Sequence, residues 1–161
     1  MVNVFISHPT PYNKDQQSFL SLIEDEIKQY GLNPINLGKN NWSFKSPLQP
    51  IKMLMDTCFA AIIIGLERHH CYIGYEKEFT KNSKETVHKY TSSPWLQIEA
   101  GMAYQAGLPL LILKESKIYS EGIFDPQISD SFIFEFDLKK VKKELSPEIK
   151  ELILSWVKHI Q

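Results

Sequence analysis

Two rhythms of apolar and polar positions alternate along the chain. Short uninterrupted apolar runs, rich in β-branched and aromatic residues, occur at Val2–Ser7 and at residues 32–37, 59–66 and 108–113. Runs of that length and composition predict buried strands. The stretch 131–138 (SFIFEFDL) alternates instead, which predicts a fifth strand with one wetter face. Between the strands the spacing becomes helical. Phe19, Leu20, Leu22, Ile23 and Ile27 mark a helix over residues 13–30, stopped by Gly31. Residues 48–57 and Pro147–Ile160 read as two more helices. A further helix, residues 95–106, is signalled at both ends: Ser93 as N-cap, Pro94 at the first helical position, Gly107 past the stop.

Strands that alternate with helices predict a parallel sheet with helices packed on both faces. The expectation is therefore a three-layer α/β fold with a mostly parallel sheet of about five strands, formed by one domain over residues 1–161. Pro34 suits an early or edge strand, because proline cannot donate to a ladder. Residues 67–92 fit neither rhythm. They are polar, with His and Tyr scattered through them, and a connection that long without periodicity is expected to be functional or mobile.

In open parallel sheets, ligands bind beyond the carboxyl ends of the strands. That rule selects candidate substrate-binding residues before any chemistry is considered. After the first strand come Ser7, His8 and Thr10; after the second, the loop 38–47 with Trp42 and Phe44. Near the end of the third stands Gly65, after it come Glu67, Arg68, His69 and His70, and the start of the next helix adds Ser93 and Trp95. Each has a plainer reading as well: a loop histidine is often solvated, and a loop aromatic is often an anchor.

Eighteen Lys and Arg stand against nineteen Asp and Glu, a net charge of −1, which argues against nucleic acid as the main partner. Arg68 is the sole arginine. Two cysteines, Cys58 and Cys71, make no disulfide framework and read as reduced thiols. The first residues run straight into a strand with no basic leader, and no apolar run reaches membrane-spanning length. A cytoplasmic location, without membrane association, is expected. His69-His70-Cys71 has no second ligand pair at zinc spacing, so no metal is expected. The Lys139–Lys143 region reads as a solvated face. Neither a G-x-G-x-x-G nor a G-x-x-x-x-G-K-[ST] run occurs, and Ser7 lies in no G-x-S-x-G context.

Glu99 is the residue most at odds with its surroundings. On a helical wheel, Trp95, Ile98, Met102, Ala103 and Ala106 fall on one face with Glu99 among them, while Gln97, Ala100 and Tyr104 lie opposite. An acid in an apolar stripe is costly unless it is paired or opens on a cleft. The plain reading is that Glu99 pairs with a Lys or Arg or caps a neighbouring loop; the functional one is a catalytic carboxylate helped to ionise by the helix start.

Two segments resemble a known family. Val4-Phe5-Ile6-Ser7-His8 resembles the first box of Toll/interleukin-1 receptor (TIR) domains. Ser93-Pro94-Trp95-Leu96-Gln97-Ile98-Glu99 resembles the later TIR motif, in which Ser and Trp precede a Glu by six and four positions. The continuation Glu99-Ala100-Gly101-Met102-Ala103, with Gly107-Leu108-Pro109, is also similar to nucleoside 2-deoxyribosyltransferases. Both families imply a flavodoxin-like layout and chemistry at a glycosidic bond. The TIR resemblance implies an NAD glycohydrolase or cyclase that cleaves the nicotinamide–ribose bond, with Glu99 catalytic. NAD would be a substrate rather than a cofactor, homo-oligomers are expected, and the implied setting is bacterial antiphage immune signalling. Two alternatives share the layout: a nucleotide-binding sensor or interaction module without turnover, and a nucleoside or nucleotide N-glycosidase of the deoxyribosyltransferase type. The chain departs from the patterns in three places. Ser93 stands where the transferases carry Asp, the loop 38–47 holds no Arg, and residues 67–92 are long for a TIR connection.

Overall fold

The apolar runs become strands because each can be covered on both faces. The computed structural model, which describes residues 2–36, 48–141 and 143–160, places β1 at Val2–Ser7, β2 at Leu32–Ile35 and β3 at Ala60–Gly65. Every residue of β3 is buried. The later strands are β6 (Leu110–Glu115) and β7 (Ile133–Phe136). Together they form one five-stranded sheet in the order β2-β1-β3-β6-β7, parallel at every pairing. Pro34 lies on β2, an edge strand, opposite Val4.

Helices cover both faces. Alternate strand residues point to opposite sides, so Val4, Ile6, Ile62 and Ile64 pack with Phe19 and Ile23 of α1 (Lys14–Gln29) and with Ile153 and Trp156 of α4 (Pro147–Ile160). Phe5, Ala61, Ile63 and Ile112 face the other way. They pack against Ile51 and Met55 of α2 (Leu48–Met55) and against Leu96, Ala100 and Ala103 of α3 (Pro94–Gln105). This is a flavodoxin-like three-layer α/β fold. Chain direction across the sheet reverses between β1 and β3, and the crevice beyond their carboxyl ends is where such folds take ligands. Among the described residues no helix is long and apolar enough to cross a membrane.

Two expectations need correction. Residues 67–92 are not an irregular connection. They carry β4 (His69–Glu76) and β5 (Lys84–Thr91), an antiparallel hairpin with Ile73 opposite Val87. The hairpin escapes pattern reading because most of its residues are exposed on both faces, which removes the apolar alternation that burial imposes. Its tip is also unconventional: Lys77 and Phe79 adopt positive φ without being glycine. Its base is tied down by bonds from Arg68 N–H to the Thr91 carbonyl (2.9 Å) and from Tyr119 N–H to the Tyr90 carbonyl (2.8 Å).

The second correction concerns α3. Its buried residues are Leu96, Ala100 and Ala103. Ala100, expected opposite the core, is fully buried, while Trp95 and Ile98 are 43% and 44% exposed. The helix is rotated from the face that its bulkiest residues suggest. Leu96 packs inward beside the small Ala100 and Ala103, and Trp95 and Ile98 are left partly outside.

Candidate functional site

The site is built from the carboxyl end of β1 upward. Ser7 closes the strand, opposite Ile63 of β3. It lies two residues beyond Phe5, so it faces the α3 layer, and it is buried. A buried hydroxyl needs a partner, and Ser7 Oγ donates to Glu99 Oε2.

Glu99 is half-buried, on the margin of the buried face of α3 rather than at its centre. Leu96 and Ala103 flank it toward the core; Trp95 and Ile98 flank it toward solvent. Burial pushes its carboxyl above the usual carboxylate range, and the Ser7 hydrogen bond pulls in the opposite direction without cancelling it. The Ser7 hydroxyl is the sole partner of the carboxyl among the described residues. Among the described residues no Lys or Arg pairs with it, so the ion pair of the plain reading is not formed there. What results is a desolvated acid, reachable from one side, at the end of a sheet strand.

The start of α3 is fixed as expected. Ser93 is the N-cap, its Oγ accepting from Trp95 N–H at 3.3 Å, and Pro94 holds the first helical position. Ser93 is buried in that role. Gly65, at the end of β3, has an equally structural reason to be glycine. A Cβ there would stand 2.5 Å from Cζ of Phe124, itself buried.

Glu67 belongs to a polar latch that ties three strand ends together. Its carboxylate accepts from Lys117 Nζ and from Tyr12 Oη, each at 2.7 Å, and its carbonyl accepts from Gln16 Nε2 at 2.8 Å. Glu67 N–H donates to Glu115 Oε2 at 2.9 Å, and Lys117 Nζ also lies 3.2 Å from Glu115 Oε1. Burial would push the Glu67 carboxyl up; the Lys117 and Tyr12 hydrogen bonds outweigh it and hold it below the usual range. Tyr12 rises, chiefly through the same hydrogen bond to Glu67. Burial pulls the Lys117 ammonium down, but Glu67 and Glu115 more than offset this and raise it. Sequence reasoning missed Tyr12, Gln16, Glu115 and Lys117. Gln16 had one available signal: a polar residue one turn before Phe19 and Leu20 on the inward side of α1.

The remaining candidates sit around this edge. His8 is half-buried, with Nδ1 2.9 Å from the Pro9 carbonyl oxygen, and Thr10 is exposed. Arg68 is exposed and its side chain has no ion pair among the described residues. Trp95 is partly exposed one turn before Glu99. Trp42 and Phe44 lie outside the described residues. The structure therefore joins Ser7 and Glu99 directly, assigns Gly65, Glu67 and Ser93 to holding the edge in shape, and leaves His8, Thr10, Arg68 and Trp95 without a shared contact. Cys58 is buried and Cys71 exposed, both as free thiols. Among the described residues no cluster of three or more His, Cys, Asp or Glu side chains could hold a metal.

Neither protein-family models nor curated proteins give a match to this chain.

Proposed function

We propose that the chain is a TIR-type NAD glycohydrolase or cyclase that uses Glu99 on the nicotinamide–ribose bond. The observation that supports it is the Ser7–Glu99 pair: a half-buried carboxylate with no neutralising cation among the described residues, beyond the carboxyl end of β1.

The chemistry suits that group. As the bond from the ribose anomeric carbon to the ring nitrogen breaks, the bonding pair goes to nitrogen. The pyridinium becomes neutral nicotinamide and leaves without needing a proton. Positive charge develops on the anomeric carbon and ring oxygen, and a carboxylate with little solvent around it opposes that charge strongly. Water then adds to the anomeric carbon and gives up a proton, yielding the hydrolysed product. Addition of a nitrogen of the same molecule's adenine would yield a cyclic product. Glu99 acts in its ionised form, and Ser7, which donates to it, favours that form.

The deoxyribosyltransferase reading has less behind it. Ser93, at the position where those enzymes carry Asp, is buried and spent on capping α3. A sensor without turnover would use the same edge to hold a ribose.

The test is incubation of the purified chain with NAD across a range of protein concentrations, with nicotinamide release as the readout. Release that falls about a hundredfold or more in Glu99→Gln supports the proposal. Release unchanged in a folded Glu99→Gln refutes it. A melting shift with NAD and no nicotinamide selects the sensor.

A further inference from the structure

A cavity lies on the far side of α3 from Glu99. It measures about 380 Å³, within the size range of small-molecule sites. Its walls come from the base of the hairpin, the start of α3 and the stretch after β6. Neither Ser7 nor Glu99 lines it; Gln97 does, and positions 97 and 99 lie about 160° apart around a helix. From these features we propose that this cavity is a binding site for an uncharged heteroaromatic base, free or carried by a nucleoside, and not for a nucleotide. It does not depend on the reaction assigned to Glu99.

Three features define the occupant. Pro94, Ile118, Tyr119 and Phe124 supply apolar and aromatic walls suited to a flat ring. Ser92 lines the same space, and its Oγ is buried without a hydrogen-bond partner among the described residues. A buried hydroxyl left unpaired costs stability, and it can both give and accept a bond from a ring nitrogen or amide. The third feature disfavours phosphate. Among the described residues that line the cavity none is Lys or Arg; His69 adds one imidazole, and the one acid, Glu121, is already paired with Lys89 Nζ at 3.1 Å, an ammonium that also covers the Tyr119 ring. The start of α3 offers no free donor either. Pro94 has no N–H, Trp95 N–H is taken by Ser93 Oγ, and Leu96 N–H by the Ser93 carbonyl.

The walls are held ready. Gln97 accepts from Ile123 N–H at 2.9 Å and donates to the Glu121 carbonyl at 3.2 Å. Between them Gly122 adopts φ +59, and a Cβ there would stand 2.4 Å from the Gln97 Oε1 that these bonds hold in place. An occupant would therefore meet a formed pocket rather than order a loose loop.

The experiment is calorimetric or NMR titration of the full chain with adenine, adenosine, cytidine, nicotinamide and AMP. Saturable binding of at least one uncharged probe is expected, and AMP should bind at least tenfold more weakly than adenosine if adenosine is the ligand. Ser92→Ala should weaken binding about two- to tenfold by removing one hydrogen bond. Thr91→Trp should abolish it by filling the space. Glu99→Ala should leave it unchanged. The proposal is overturned if none of the uncharged probes saturates at millimolar concentration, or if AMP binds as well as adenosine. It is equally overturned if Glu99→Ala removes binding, which would put the ligand on the other side of α3, or if folded Ser92→Ala retains full affinity.

Discussion

Replacing Ser7 with alanine tests the core of the site with almost no change of volume. Ser7 is 1% exposed, so the substitution neither uncovers surface nor opens a large void. What it removes is one hydrogen bond to Glu99. Bonds to charged groups contribute about 1.5–3 kcal/mol and neutral ones about 1 kcal/mol. Glu99 is only half-buried, so water can take part of the hydroxyl's place, and the expected loss is about 1–2 kcal/mol with Glu99 ionised. For a domain of this size that lowers Tm by about 2–8 °C.

The loss should depend on pH, and the direction is set by Glu99. The hydroxyl donates best to the ionised carboxylate. The penalty of Ser7→Ala should therefore be largest above the Glu99 titration and shrink on the acid side. The same substitution removes the influence that opposes burial at Glu99, so its carboxyl should rise further. If the ionised form is the active one, the acid limb of the rate profile moves to higher pH while the rate on the alkaline plateau changes less. Urea unfolding of both proteins at pH 4 and pH 8, with nicotinamide release followed across the same range, measures both effects. Equal penalties at the two pH values together with an unmoved acid limb would refute the reasoning, since Ser7 would then not be bonded to a titrating carboxylate.

Glu99→Gln should lose activity yet melt higher at pH 8. The folded-state carboxyl lies above its unfolded value, so its stabilising contribution is fully present below the unfolded pKa and is lost as pH rises through the folded pKa; thermal melts that coincide at pH 4 and separate at pH 8 check this. Gly65→Ala should cost about 1–3 kcal/mol, because the new methyl meets the buried Phe124 ring, and urea midpoints report it. Lys117→Met removes the cation shared by Glu67 and Glu115, but Lys117 is 40% exposed, so solvent screening holds the loss to about 1 kcal/mol or less. The stability Glu67 gains from that cation is present above its unfolded pKa and lost as pH falls through its lowered folded pKa, so the Lys117→Met deficit in urea should shrink from pH 7 toward pH 3.

The parts of the fold legible in the sequence are those where burial writes a pattern. Residues 59–66 read as a central strand because nothing polar can stand in β3, and Ser93-Pro94 with Gly107 marked α3 because capping needs those residue types. The hairpin was illegible for the converse reason. Cys71, Ile73, Tyr75 and Val87 share one face of the β4–β5 pair and no part of the core covers them, so burial imposed no alternation to read. The polar latch was illegible because it is assembled from three separate stretches of chain. Tyr12 and Gln16 come from the approach to and start of α1, Glu67 from the end of β3, Glu115 and Lys117 from the end of β6. No spacing in a one-dimensional pattern links residues fifty apart. The sheet topology does, by bringing the carboxyl ends of neighbouring parallel strands to one edge.

The rotation of α3 matters most for Glu99. A wheel drawn on apolar bulk puts the carboxylate at the centre of the buried face, where it would need a partner charge and would be sealed from any substrate. Leu96, Ala100 and Ala103 form the true contact instead, and Glu99 sits on the margin of that face. That position is what the proposed role requires. Burial raises its carboxyl, and the residue keeps partial exposure. Ser7 then completes the arrangement from below. It is held in a buried strand rather than a loop, so the direction of its hydroxyl is set by the sheet, and through that bond the sheet fixes the carboxylate as well. Replacing Ala100 with a larger residue should therefore disturb the site without touching it, by tilting α3 off β3 and breaking the register between Glu99 and Ser7.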